Sequence, residues 1–377
     1  MAKNENSQRR LKGYYGFQKK YPSRRGERPI HETRKAKKRE RIKKILFCVF
    51  LCCLFVVVFV LAKFCYNLST RPLDNNQIET PPLITADNIG TVRATYIDNS
   101  ILRDVSDVMN FLEEAKNNGF NAVMLDFKTR DGILTYDSNL ISYSDIEGYN
   151  EIDWNILEKI KLEGFLVLGR IYCFEDTIAP QRLNAYVYEN AEKTRIWFDD
   201  SAIMGGKVWL DPTNSRATNY LCSVINEVVE LGADCIYLDS VQFPKSREGA
   251  VPVYTADDTT LNRNLVLMQF LENAVRSADG RPVFLGMPIE CAEGGDTEKW
   301  GGTLFDTSAH ICSPVLEIQE NGNFVEYIEN SYIVYNDKAK NNFSTVKVIP
   351  TIKNTIENLD FYENLASSKA ESYIIVP

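Results

Sequence analysis

The sequence predicts an α/β protein, a (β/α)8 barrel preceded by a disordered basic tail, one transmembrane helix and a linker. Three observations carry that expectation. Eight short aliphatic or β-branched runs follow one another from residue 92 to the C-terminus, with helix-period segments between them. Ile45 to Ala62 is an uncharged apolar stretch of 18 residues. The formal charge of −8 splits into a net +13 over residues 1–44 and a net −21 over the remainder.

The tail comes first. Residues 1–44 carry 17 Lys+Arg against 4 Asp+Glu and few aliphatic side chains, too little apolar surface to fold alone. The segment from Arg34 to Lys44 lies against the apolar stretch, where each basic side chain gains about 1 kcal/mol near an anionic leaflet. Anionic lipids are therefore its expected partner and nucleic acid is not. Tyr14, Tyr15, Phe17 and Tyr21 among the lysines leave a role in binding another partner open.

Ile45 to Ala62 matches the roughly 17–25 residues that cross a hydrocarbon core as a helix. Residues 45–64 are expected to be that helix. A cleaved secretory signal is the alternative, but 44 residues precede the run, and Lys63, Phe64, Cys65 and Tyr66 follow it in place of small cleavage-site residues. The basic flank places the N-terminus in the cytoplasm and the C-terminal domain outside, in a single-pass protein of the cell membrane. Residues 65–90, with Pro72, Pro81 and Pro82, read as a linker.

Residues 91–377 are the barrel. The strands are expected at Val92–Asp98, Ala122–Phe127, Phe165–Tyr172, Cys235–Asp239, Val283–Ile289, Ile311–Leu316, Val346–Ile352 and Ser372–Val376. Between them Val105, Val108, Met109, Leu112 and Ala115 repeat at helical spacing before Gly119. Ile156, Leu157, Ile160 and Leu162 do so before Gly164, and Leu221, Val224, Ile225, Val228, Val229 and Leu231 before Gly232. Strands apolar on both faces imply a parallel sheet buried on both sides. Eight of them in 287 residues fit a barrel of about 250 residues with insertions. A doubly wound sheet would want a glycine-rich turn after its first strand, and Asp98-Asn99-Ser100-Ile101 has no glycine.

Cysteine and histidine bound the chemistry. Cys173, Cys222, Cys235, Cys291 and Cys312 are an odd, scattered set, so neither a disulfide framework nor a zinc site is indicated. Cys173, Cys235 and Cys312 lie in apolar runs and read as small buried hydrophobes. The two histidines exclude a His-rich metal site, and His310 falls before the sixth strand, away from the rim where barrels build active sites. No metal or cofactor is expected.

That rim is instead acidic. Asp98, Asp126, Glu175, Asp176, Asp239, Glu290 and Glu317 stand at or just after the first six strands. Barrel rims also carry acids for solubility and helix caps, but Asp126 and Asp239 each follow several apolar residues within a strand, where an acid bears a desolvation cost. Two carboxyls, one protonated and one ionised, are what glycoside hydrolysis needs. Tyr96, Tyr136, Tyr172, Phe174, Trp209, Phe243 and Trp300 are aromatics near the strand ends that could face sugar rings.

At these residues the chain resembles a bacterial family of glycoside hydrolase-like barrel domains in anchored or secreted proteins. Asn121 to Lys128 with Asp131-Gly132 and Tyr136 resembles the family's N-A-(three aliphatics)-D-x-K, D-G and Y. Arg170 to Phe174 with Asp176 is similar to its R-I-x-x-F-x-D. Val208 to Pro212, Tyr220, Glu227, Gly232 and Tyr237 to Pro244 follow its W-x-D-P, Y, E, G and D-Y-V-R-F-P. The resemblance departs where that last element has Ser240 for Tyr and Gln242 for Arg. The later S-P-M-x-Y-P-S-H-Y reads Ser313-Pro314-Val315-Leu316-Glu317-Ile318.

Together the residues and the resemblance imply a glycoside hydrolase acting on cell-envelope or environmental polysaccharide. Asp239 is expected as nucleophile or base, Glu290 as acid and Asp126 as a third catalytic carboxyl. Lys128, Arg170, Tyr172, Asp176, Trp209, Asp211 and Phe243 are expected to bind substrate. A barrel that binds glycan or serves as an envelope scaffold without cleaving is the other reading, favoured by the missing Tyr, Arg and His.

Overall fold

The computed structural model describes residues 38–50, 54, 83–143, 146, 152–256, 261–288, 297–301, 309–317, 347–353 and 371–377. The chain divides into two units, Met1–Thr80 and Pro81–Pro377. In the first, residues 38–50 form an exposed helix, α1. Among the described residues no helix is long and apolar enough to cross a membrane. The apolar stretch beyond residue 50 lies outside them except for Leu54.

The second unit is a closed parallel barrel. Its strands are β1 (Arg93–Tyr96), β2 (Ala122–Lys128), β3 (Leu166–Tyr172), β4 (Cys235–Asp239), β5 (Val283–Pro288), β6 (Ile311–Glu317), β7 (Lys347–Val348), β8 (Thr351–Lys353) and β9 (Tyr373–Val376). The order β5-β4-β3-β2-β1-β9-β8-β6-β7 closes through β5–β6, and every pairing is parallel. β7 lies on the start of β6 at Ile311 and Cys312, and β8 on its end at Val315 to Glu317. The two are therefore one barrel position interrupted at Ile349-Pro350, and the eight expected strands are the eight observed positions.

Helices wrap this barrel where the sequence marks them. α2 (Val105–Asn117) starts at Asp104, whose side chain accepts from the Ser106 N–H, and buries Val108, Leu112 and Ala115. α3 (Ile156–Leu162) buries Ile156, Leu157 and Ile160. Leu162, expected on the same face, is 86% exposed, because a residue two positions after Ile160 points to a different side of the helix. The remaining helices among the described residues are α4 (Ala179–Leu183), α5 (Ser215–Leu231), α6 (Arg263–Ser277) and α7 (Thr297–Trp300). α5 begins at the Asn214 cap and ends at Gly232, whose φ of 109° is a left-handed backbone that suits glycine.

Strand alternation sorts side chains between two cores. Val123, Leu125 and Phe127 of β2 pack outward among the helices. Ala122 and Met124 pack inward with Ala94, Leu168, Cys235, Tyr237, Phe284 and Ile374. Ile84 and Ile89, in the stretch expected to be linker, join this inner cluster beside Val92. Cys173, Cys235 and Cys312 are buried free thiols, and burial raises the first two above the ordinary thiol value. His310 accepts a hydrogen bond at Nδ1 from the Val283 N–H at 3.1 Å. Burial lowers its pKa, which suits a structural histidine at the start of β6.

By the same period of two, Asp126, Arg170, Tyr172 and Asp239 take inward positions at the C-terminal ends of β2, β3 and β4. Below them Gly286 of β5 lets Tyr237 cross the barrel. A Cβ at Gly286 would stand 2.6 Å from the Tyr237 hydroxyl oxygen, and that hydroxyl is held at 2.9 Å by Thr351. Gly286→Ala should therefore destabilise the barrel by about 1–3 kcal/mol through overpacking, read as a lowered midpoint in urea denaturation.

Candidate active site

A cavity of about 580 Å3 opens where the strands end, lined among others by Tyr172 of β3, Asp239 of β4, Pro288 of β5 and Lys353 of β8. This is the end of a parallel barrel at which side chains from several strands converge.

Its most ordered wall is cationic. Arg170 lies opposite Asp126 in the β2–β3 register and forks onto that carboxylate, with Nε 2.5 Å from Oδ1 and an Nη 3.0 Å from Oδ2. The Tyr96 hydroxyl donates to Asp126 Oδ2 at 2.9 Å. The guanidinium also sits over the rings of Tyr96 and Tyr172, 4.8 and 4.9 Å from their centroids. Burial opposes the Arg170 charge, but the hydrogen bonds and charge of Asp126 outweigh it and raise the pKa. Asp126 thus holds Arg170 in place and does not itself line the cavity.

Among the described residues, the side-chain carboxyls that line the cavity are Asp239 and Glu175. β3–β4 pairing brings them together. Tyr172 pairs with Asp239, and past the strand ends the Cys173 N–H donates to the Asp239 carbonyl at 2.9 Å and the Phe174 N–H to the Ser240 carbonyl at 3.2 Å. That continuation sets Glu175 opposite Ser240. The Ser240 hydroxyl lies 3.3 Å from Asp239 Oδ1 and 3.4 Å from Glu175 Oε2. The nearest carboxyl oxygens are therefore no farther apart than the sum of those distances, an upper bound that admits the roughly 5–5.5 Å of retaining glycosidase pairs.

The two acids differ in surroundings. Burial pushes Asp239 above the usual carboxylate range, against the lowering influence of Arg170 and Ser240. Glu175 accepts from Arg130 Nε at 2.6 Å in an ion pair. Asp239 is thus the cavity acid whose surroundings favour its protonated form, and Glu175 is the one paired with a cation.

Other expected site residues do not line the cavity. Lys128 and Asp176 are completely buried against each other, Nζ to Oδ2 at 2.8 Å, and Lys128 also donates to the Tyr172 carbonyl. Asp176 Oδ1 accepts from the N–H groups of Ile178 and Ala179 at the start of α4. Gly132 is glycine because a Cβ there would stand 2.1 Å from the same oxygen, and its φ is +94°. Asp211 is buried beneath hydrogen bonds from Thr213 and Thr255. Trp209 donates to Asp199, and Phe243 is buried edge-on to Tyr254. Asp98 ties a turn through the Ser100 N–H. Glu290 lies outside the described residues.

Residues 94–297 match the family described as "Putative glycosyl hydrolase domain". The chain belongs to that family. Among solved structures it is similar to a hypothetical protein from Ruminiclostridium thermocellum ATCC 27405 (22% identity, TM-score 0.43), covering 51% of this chain and 96% of that one. It is also similar to the glycoside hydrolase domain of a PelA variant from Pseudomonas aeruginosa (14%, TM-score 0.42), covering 76% and 95%. A third likeness is to a family 20 β-N-acetylglucosaminidase (12%, TM-score 0.40), covering 69% of this chain and about half, 52%, of the other. No curated protein matches the chain.

The family's shared residues sort by position in the barrel. The D-x-K and W-x-D-P positions are occupied by buried side chains bonded to other parts of the chain, and the Asp131 of D-G is exposed and paired with Lys207. Tyr136 and Glu227 are likewise bonded to each other at 2.9 Å. Ser240 and Gln242, where this chain departs from the sequence pattern, both line the cavity. Glu175, Arg130 and Lys299 also line it, and no residue spacing marks them out.

Removing one partner of the Lys128–Asp176 pair leaves an uncompensated buried charge. Lys128→Met should cost about 3–5 kcal/mol in chemical denaturation, with part recovered when Asp176→Asn is added. Unchanged stability together with a raised KM for glycan would instead return Lys128 to substrate binding.

Proposed function

We propose that this chain is a membrane-anchored glycoside hydrolase whose barrel acts outside the cytoplasm on cell-envelope or environmental polysaccharide. The observation that carries it is the Asp239–Glu175 pair at the mouth of the barrel, one acid raised by burial and the other ion-paired. In this reading Asp239 protonates the leaving glycosidic oxygen, and Glu175 attacks the anomeric carbon or activates water. Tyr172 lines the same cavity and supplies a ring face for a sugar. The cavity volume lies within the roughly 300–1,000 Å3 of ligand sites.

Asp239 thereby takes the acid's role expected of Glu290. Removing either member should lower kcat on a cleaved glycan about 100-fold or more. The measurement is release of reducing ends from a panel of cell-wall and plant glycans by wild type, Asp239→Asn, Glu175→Gln and Glu290→Gln. Undiminished release by Asp239→Asn would remove it from the reaction.

Sign follows from burial. The acid works only while protonated, so the rate falls as pH rises through the Asp239 pKa, above the usual carboxylate range. Stability follows the same direction: the contribution of Asp239 is fully present below the unfolded carboxyl value and lost as pH rises through the folded one. Asp239→Asn should therefore be inactive yet at least as thermally stable as wild type at pH 7.

A second reading is a barrel that binds glycan without cleaving it. It is favoured by Ser240 and Gln242, which replace the family's Tyr and Arg on the cavity wall. Binding that survives Asp239→Asn, with no product from wild type on any glycan, would establish it.

The basic segment from Arg34 to Lys44 and the apolar run after it support a single-pass anchor with the tail on anionic lipid of the cytoplasmic leaflet. Protease added to intact protoplasts should then degrade the barrel and spare the tail. A soluble product beginning after about residue 66 would show a cleaved signal instead.

A further inference from the structure

Ser240 is the residue between the two cavity carboxyls, and its backbone is unusual. Its φ of 53° is left-handed, a conformation that costs a non-glycine residue of order 1 kcal/mol or more and that persists where the surroundings enforce it. Here the enforcement is visible. The Asp239 and Ser240 carbonyls are both fixed by N–H groups of the β3 extension, and the turn between them throws the Ser240 side chain back over the carboxyl of the preceding residue.

A hydroxyl has one hydrogen and two lone pairs. With acceptors 3.3 and 3.4 Å away on either side, it can donate to only one carboxylate at a time. It serves both acids when one is protonated: the protonated acid donates to Oγ, and Oγ–H donates to the other. The lengths are at the long end for a hydroxyl, as bonds in a catalytic constellation often are before substrate closes the site.

We propose that Ser240 is the positioning residue of this pair, its hydroxyl bridging Asp239 and Glu175 so that they hold one proton between them at fixed separation. The proposal rests on the carboxyl-pair reading above. It also follows the charge through the reaction. As the glycosidic C–O bond breaks, the Asp239 proton passes to the leaving oxygen while a Glu175 oxygen bonds to the anomeric carbon or takes a proton from water. Negative charge thus disappears from Glu175 and appears on Asp239. The Ser240 hydrogen stays on Oγ and swings from the first to the second, so one donor serves both the starting and the developing anion.

Other charges face the same groups. Arg170, Asp126, Tyr172 and Tyr237 act on Asp239 from β3, β2 and β4, and Arg130 faces Glu175. Lys299 and Lys353 also line the cavity. These remain when Ser240 is changed, so a difference between variants reports the hydroxyl.

The experiment is a carbon-13 titration of the Asp239 and Glu175 carboxyls in wild type and Ser240→Gly, which removes the hydroxyl and relieves the left-handed strain. A bridge that stabilises the singly protonated pair separates the two titration steps. The steps should draw together in Ser240→Gly, and equally in Ser240→Ala should the glycine variant fail to fold. An unchanged interval in a folded variant overturns the proposal. On a cleaved glycan, Ser240→Gly should lower kcat about tenfold, one charge-assisted hydrogen bond, with KM unchanged. A rise in KM at constant kcat also overturns it. If wild type cleaves none of the glycans tested, the hydrolase reading falls while the titration still decides the bridge.

Discussion

The Asp126–Arg170 pair is the constraint around which the mouth of this barrel is built. Two charged groups face each other in register on adjacent strands, at depths where an isolated charge would cost several kcal/mol. The pair is compensated by the two-pronged contact with the carboxylate, by the Tyr96 hydroxyl and by the rings of Tyr96 and Tyr172. The guanidinium is therefore a fixed positive charge under Asp239. Lowering by Arg170 and raising by burial act together on that acid, and burial prevails. The pinned cation limits how far burial raises the acid.

The second buried pair does a different task with the same chemistry. Lys128 follows a register shift in β2 that lets its Nζ reach Asp176 in the loop after β3. Asp176 in turn fastens the first N–H groups of α4, and Gly132 leaves room for its carboxylate. The loop that carries Glu175 is thus anchored one residue away by a closed ionic knot. Desolvated acids near a strand end are candidates for chemistry, yet here the most buried of them is the one most completely neutralised.

That distinction explains how much of this protein was legible in its sequence. The strands were, because a barrel wall buried on both faces admits only aliphatic and β-branched runs such as AVMLDF, and each of the eight runs became a barrel position. The helices largely were, though Leu162 shows that hydrophobicity alone does not fix a face. At the site, Asp239 could be read from the apolar residues that precede it in its strand, and Arg170 and Tyr172 from the resemblance to the family. Asp126 and Lys128 could be read as special but not as inward-tied partners, since the same residue types serve a substrate or a salt bridge. Trp209, Asp211 and Phe243 were drawn in by motif and turn out to bond neighbouring loops. Glu175 was one of two adjacent acids. Only the hydrogen bonds that extend β3–β4 pairing past the strand ends choose it over Asp176, and no spacing in the sequence encodes them.

The departures from the family pattern acquire meaning from this geometry. A substitution among the buried, mutually bonded residues would have cost the fold, and there the chain keeps the pattern. The exchanges at Ser240 and Gln242 fall on the cavity wall, where a change alters what is bound or done without unmaking the barrel. A small hydroxyl in place of a tyrosine leaves space beside the carboxyl pair, and an amide in place of an arginine removes a positive charge from the wall. Both changes leave Asp239 with Arg170 as its principal cation. The site is thereby opened and made less basic while its two acids keep their contrasting environments.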